Sequence, residues 1–325
     1  MNPSRCLVLG GTGFIGSHVV ERLLANGLRV RVFGQSSMFP IDISVGVDCL
    51  EFSVGDFHDA QSVAKAVKGC DYVFHLIATS VPASSNRNMV ADADSNLIGT
   101  LKLLETCVRE KVRQIIFSSS GGTVYGRTGD DPIPELHNTE PQCSYGVVKL
   151  AIEKYLELFR IQHGVDYTVL RVSNCYGPGL PVKGEQGVVG VFLDRLRRQE
   201  PITVWGNGAI TRDYVYVADV AAAFRAALGQ QSPFRVFNIG TGVGTSIIKL
   251  IEMMERVTGC RANIVRHPAR EVDVPVNVLD PTRARNYLRW DADTALEQGL
   301  LNTWNWMHGS AQANSARALS LYRHQ

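Results

Sequence analysis

Residues 7–16 read Leu-Val-Leu-Gly-Gly-Thr-Gly-Phe-Ile-Gly, an apolar run that breaks into glycines three residues apart at Gly10, Gly13 and Gly16. Leu7, Val8 and Leu9 suit a parallel strand buried on both faces. Downstream, Ser17 to Ala25 carries Val19, Val20, Leu23 and Leu24 at helical spacing, and Asn26-Gly27 closes that helix. A strand, a glycine turn and a helix together make a pyrophosphate site. Missing side chains let the backbone approach the phosphates, and the helix N-terminus offers free N–H groups with partial positive charge. Glycine turns also serve packing alone; the strand before and the helix after favour a dinucleotide here.

Working outward, strands and helices alternate through the first half. The patterns predict strands at 29–33, 71–78, 114–118 and 166–172, and helices at 59–68, 95–110 and 145–162. Repeated βαβ units of this length imply an α/β fold, a doubly wound parallel sheet with helices on both faces. After residue 173 the rhythm loosens. Residues 174–186, rich in Gly and Pro, read as loop, 188–198 as a helix and 202–205 as a short strand. The segment 268–281 shows little periodicity, and the alanine-rich tail from His308 reads as mobile at its end. This organisation predicts a dinucleotide-binding domain over 1–173, with segments near 212–240 returning to its sheet. Residues 174–325 then form mainly a smaller, mixed α/β substrate lobe.

The 325 residues hold 33 Lys+Arg against 31 Asp+Glu, a net charge of +2, so no electrostatic footprint for nucleic acid or a membrane surface is expected. No apolar run is long enough to span a bilayer, and the polar Met1–Arg5 stretch does not read as a signal peptide. Cysteines at 6, 49, 70, 107, 143, 175 and 260 form an odd, scattered set without C-x-x-C spacing. They predict neither a disulfide framework nor a metal site, but small buried hydrophobes in a reducing cytoplasm.

Tyr145 and Lys149 stand four apart at the start of a long helix, so both project from one face. An ammonium beside a phenol stabilises phenolate, and an oxidised nicotinamide would add positive charge, so such a tyrosine can take a proton from a sugar hydroxyl; by itself Y-x-x-x-K is common and usually a surface pair. Upstream, residues 117–126 read FSSSGGTVYG and lie at the C-terminal end of a parallel strand, where open α/β sheets bind ligands. A serine there can donate to the oxygen being oxidised, although Ser119 and Ser120 can also serve the turn backbone.

LVLGGTGFIGSH, FSSSGGTVYG, the Y-x-x-x-K pair, LRVSNCYGPG, WGNGAITRDYVYVADV and NIGTGVGTS follow one another in this order. The chain resembles the extended short-chain dehydrogenase/reductase family, with its Rossmann domain, and within it the UDP-galactose 4-epimerase-like enzymes that act on nucleotide sugars. The resemblance implies Tyr145 as catalytic base, Lys149 as its pKa modulator and ribose ligand, and Ser120 as hydroxyl partner, with Ser119 and Thr123 as alternatives. It implies NAD held by Gly10, Gly13, Phe14, Ile15, Gly16, Asp56, Phe57, Leu76, Ala78, Asn96 and Ser118 together with Tyr145 and Lys149. For a UDP-sugar it implies Ser120, Asn174, Gly187, Val188, Trp205, Arg212, Arg270 and Asp273. A homodimer through the helices at 95–110 and 145–162 is implied as well, and polysaccharide precursor supply as the setting.

Two departures bear on specificity. The acid that usually ends the second strand and holds the adenine ribose is replaced by Gly34, followed by Gln35 and Ser36, so NADP stays beside NAD as a candidate. Asn277, four residues after Asp273, takes the place of a bulky tyrosine in the resembled enzymes, which favours tolerance of a 2-acetamido group. No carboxylate lies at Gly121–Thr123, where dehydratases and decarboxylases of the family carry one. The expected reaction is therefore C4 epimerisation through a transient 4-keto sugar. Reduction of a 4-keto-6-deoxy nucleotide sugar by NAD(P)H is the second candidate, and a non-catalytic nucleotide-binding member the third.

Overall fold

A computed structural model of the chain describes residues 4–129, 132–181, 187–270 and 274–322. The first half runs β1 (Arg5–Leu9), α1 (Phe14–Ala25), β2 (Arg29–Gly34), β3 (Leu50–Val54), α2 (Ala60–Val67), β4 (Tyr72–His75), α3 (Pro82–Ser85) and α4 (Met89–Asp92). A π-helical segment, Ala93–Ile98, leads into α5 (Gly99–Arg109), then β5 (Gln114–Ser120), α6 (Ser144–His163) and β6 (Asp166–Val172). The second half runs β7 (Asn174–Tyr176), α7 (Val188–Arg198), β8 (Ile202–Trp205), β9 (Thr211–Tyr216), α8 (Val217–Ala226), β10 (Val236–Ile239) and β11 (Gly244–Ser246). It ends with α9 (Ile247–Thr258), β12 (Ile264–His267), β13 (Val276–Asn277), α10 (Thr282–Leu288) and α11 (Leu296–Tyr322).

Seven parallel strands form the main sheet in the order β3-β2-β1-β4-β5-β6-β10. The chain winds outward from β1 in one direction to β3 and then in the other through β4, so β1 and β4 flank the switch point where such sheets take ligands. Strand alternation feeds two cores. Cys6 and Val8 face one layer with α1 and α8, while Leu7 and Leu9 face the other with α2, α5 and α6. A third core joins α7, β8, α9 and α11 in the smaller lobe. There β9 anchors a small sheet with β7, β11 and β13, and β8 pairs β12 in parallel. Among the described residues no helix is long and apolar enough to cross a membrane.

Several sequence-based bounds shift. The third strand, Leu50–Val54, was not expected; it has one neighbour and half-exposed side chains, so it lacks the buried signature. The strand expected over 71–78 ends at His75, because the chain leaves the sheet at the switch point. The helix expected from residue 95 starts at Met89, with Asn88 capping the amide of Ala91. Residues 174–176 are a strand rather than loop, recruited by β9. The tail is helical through Tyr322, and its last three residues lie outside the described ones.

Candidate active site

The glycine turn meets the demands of a dinucleotide. Gly10 adopts φ +79°, a conformation that L side chains resist. A Cβ on Gly16 would lie 2.1 Å from the Gly10 carbonyl oxygen, and one on Gly13 would lie 3.1 Å from it. Gly13 is the N-cap of α1 and brings no side-chain cap, which leaves the first-turn amides available to phosphate. Phe14 and Ile15, at that end of α1, line a cavity of about 650 Å³.

Around the rest of the cofactor side the sequence-predicted residues fall as follows. Gly34 closes β2 beside the turn; a Cβ there would approach Thr12 Oγ1 to 3.0 Å. Asp56 is exposed, and its Oδ1 accepts from the amide and the Nδ1 of His58. Phe57 is buried against His75, and Leu76 and Ala78 follow β4 at the switch point. Asn96 is buried and fully committed. Its Oδ1 accepts from the Thr79 amide at 2.9 Å, and its Nδ2 donates to Asp92 Oδ1 at 2.8 Å. It therefore props up the chain after β4 rather than reaching into the cavity.

Tyr145, Ser118, Ser120 and Thr123 all line the cavity. Tyr145 projects from the first turn of α6, and Lys149 lies one turn on, 5 % exposed, donating from Nζ to the Ser118 carbonyl at 2.7 Å. That ammonium sits 5.5 Å from the centre of the Tyr145 ring. Burial pulls it down to about 8, while Glu153 and Asp92 pull upward. The acidified phenol expected from the sequence is not found in the protein alone. Burial raises Tyr145 above its ordinary value, and Cys143 and Asp92 add to the rise.

The serine triplet divides its labour. Ser119 also lines the cavity, but its hydroxyl is committed, donating to Glu153 Oε1 at 2.6 Å. Glu153 in turn takes the Arg171 guanidinium at 2.6 Å, a buried pair under the sheet edge. Ser120 lines the cavity, its carbonyl holding the turn through the amides of Thr123 and Val124. Thr123 Oγ1 is buried without a protein partner.

The second lobe closes the cavity. Asn174 offers an unpartnered, buried Nδ2. Gly187 takes φ +79° as N-cap of α7, and Val188 begins the helix. Arg212 anchors Nη1 on the carbonyls of Thr211 and Val274, each at 2.8 Å. The Arg270 guanidinium lies 4.9 Å from the Trp205 ring centre. Asp273 and Gln186 lie outside the described residues. Asn277 is not among the residues that line this cavity: it is buried, its Nδ2 donates to the Gly121 carbonyl at 3.1 Å, and its Oδ1 has no protein partner.

Sequence reading missed the segment after β4. Pro82 and Ala83 form cavity wall, and Ser85 Oγ and Asn86 Oδ1 accept the first amides of α6, from Tyr145 and Ser144. The Ser- and Asn-rich run TSVPASSNRN at 79–88 carries a capping signal, but for a helix sixty residues away.

Rossmann-type winding, a glycine turn at the switch point and a Tyr–Lys pair across the cavity define a nucleotide-dependent α/β enzyme of the dehydrogenase type. The family model for the NAD dependent epimerase/dehydratase family matches residues 6–240. The chain is 34% identical to a UDP-glucose 4-epimerase of Mycolicibacterium smegmatis over 95% of this chain and 100% of that protein. It is 30% identical to a dTDP-4-dehydro-6-deoxyglucose reductase of Escherichia coli over 92% of this chain and 94% of that one. A Thermotoga maritima UDP-glucose 4-epimerase solved with UDP-glucose superposes with a TM-score of 0.88 at 38% identity, covering 94% of this chain and 99% of that one. The chain belongs to the NAD dependent epimerase/dehydratase family, whose members act with NAD on nucleotide sugars.

Proposed function

We propose that this chain interconverts the C4 epimers of a UDP-sugar, UDP-glucose and UDP-galactose or the corresponding N-acetylhexosamine pair. The observation that carries the reading is the meeting of Tyr145, Ser120 and the phosphate-ready end of α1 in one cavity at the C-terminal edge of the sheet. NAD, which Gly10, Gly13, Phe14, Ile15 and Gly16 would hold, would supply a hydride acceptor for C4 and a positive charge in the cavity. Tyr145 takes the proton of the 4-hydroxyl and returns it. The Lys149 ammonium, pinned by Ser118, favours the phenolate, and the Ser120 hydroxyl holds the sugar oxygen. Asn174, Arg212, Arg270 and Asp273 hold the diphosphate and uridine, with Trp205 bordering the base. In this reading residues 1–173, with the return of 212–240, hold the dinucleotide, and 174–325 mainly hold the sugar nucleotide.

We also infer a cytoplasmic homodimer. Of the apolar residues on α5 and α6, Leu103, Ile152 and Leu156 belong to the core, but Val147, Tyr155, Leu158 and Ile161 of α6 are exposed, as is Ile98 at the end of the π-helical segment before α5.

The decisive experiment is to denature the purified protein, identify the nucleotide released, and assay UDP-galactose and UDP-N-acetylgalactosamine without added cofactor. Released NAD with turnover of either sugar is expected. A site empty of nucleotide, with activity only on added NADPH, overturns the epimerase reading in favour of a 4-ketoreductase.

A further inference from the structure

One buried carboxylate lies outside the machinery described so far and yet joins three parts of it. Asp92, the last residue of α4, is 4 % exposed. Its Oδ1 accepts from Ser80 Oγ at 2.5 Å and from Asn96 Nδ2 at 2.8 Å, and its Oδ2 accepts from Ser144 Oγ at 2.6 Å. Ser80 belongs to the chain leaving β4, Asn96 to the π-helical segment, and Ser144 is the residue before Tyr145. Each of these three side-chain bonds is accepted from a neutral donor. Among the described residues no ammonium or guanidinium reaches it within ion-pair distance. Burying a carboxylate without a cation is costly, and three short bonds from separate segments are what hold it there.

We propose that Asp92 is a positioning residue for this site: it ties the cavity wall after β4 to the first turn of α6 and supplies a fixed negative charge beside Tyr145 and Lys149. The proposal rests on the reading of those two residues as a proton-handling pair. The charge acts on both members in one direction, holding the phenol protonated and the ammonium charged. The other groups facing the pair are Cys143 before α6, Glu153 on α6 with its Arg171 partner from β6, and His75 at the end of β4, which burial and Lys149 hold neutral. Burial does most to keep the tyrosine neutral, and Asp92 adds to it while joining Glu153 in keeping the lysine charged, so that the phenol gives up its proton when positive charge arrives in the cavity.

The test is an ultraviolet titration of the Tyr145 phenol in the nucleotide-loaded protein, taken as the difference between the parent chain and Tyr145→Phe. It is repeated in an Asp92→Asn background, which keeps the shape and removes the charge. Asp92→Asn is expected to lower the phenol midpoint by about one pH unit, tenfold in its dissociation constant. Ser144→Ala, which cuts one tie and keeps the charge, is expected to leave the midpoint in place. An unmoved midpoint in Asp92→Asn, or an equal movement in Ser144→Ala, overturns the proposal. Should Asp92→Asn fail to fold, Asp92→Ser carries the same expectation. The titration reads the phenol whichever sugar is turned over, so failure of the epimerase reading, scored by turnover of the parent chain, is a separate result.

Discussion

At the scale of single residues, chemistry at this site depends on which hydroxyls face the cavity. Tyr145→Phe removes the proposed proton acceptor and leaves the ring, so kcat should fall about a thousandfold while NAD stays bound; turnover assays and the nucleotide released on denaturation check both halves. Ser119 and Ser120 should separate cleanly. Ser120→Ala should lower kcat about a hundredfold with an unchanged urea midpoint. Ser119→Ala should leave kcat near the parent value and cost about 1–3 kcal/mol of stability, because a Glu153 oxygen loses a donor. The Tyr145–Lys149 pair was legible in the sequence because four-residue spacing on a helix is a local property. Which serine hydroxyl is committed elsewhere was not, since that depends on Glu153 and Arg171 waiting behind the strand. Asp92 carried no signal at all: its partners at 80, 96 and 144 come together only on folding.

At the scale of elements, the glycine turn is the most exacting piece. Gly16→Ala would drive a Cβ into the Gly10 carbonyl, with backbone on both sides of the clash. The expected outcome is a chain that purifies without nucleotide and unfolds at lower denaturant, checked by absorbance of the released fraction and by urea titration. The end of β4 gives a pH prediction. His75 is buried with Nε2 on Thr100 Oγ1, and burial, with Lys149, lowers it from 6.5 to about 3. Between those values the unfolded chain holds the extra proton, so stability rises with pH and is lost as pH falls below 6.5. From pH 6.5 to 5 this group alone should cost about 2 kcal/mol, and His75→Gln should flatten the slope by that amount in urea titrations at the two pH values. Elements with strong local periodicity, such as α7 and β6, were legible to their end residues. The edge strand β3 and the short β7 were not, because each is defined by one neighbour rather than by burial of its own side chains.

At the scale of the whole molecule, the winding order follows from βαβ handedness and was implied by the alternating pattern, but the return of β10 beside β6 depends on contacts across the chain. The exposed apolar residues of α6, with Ile98 just before α5, should bury against a second copy. Sedimentation should give a dimer, and Val147→Glu combined with Ile161→Glu should give a monomer that keeps its nucleotide. The seven cysteines close the account differently. Cys6, Cys70 and Cys107 lie inside the main sheet layers, where burial pushes the first two thiols up to about 12 and about 11 and the third higher still. Sulfur so reluctant to ionise is a poor target for peroxide and alkylating agents. The folded protein should therefore tolerate air and oxidants at these positions, and damage there would report that a molecule had already come open.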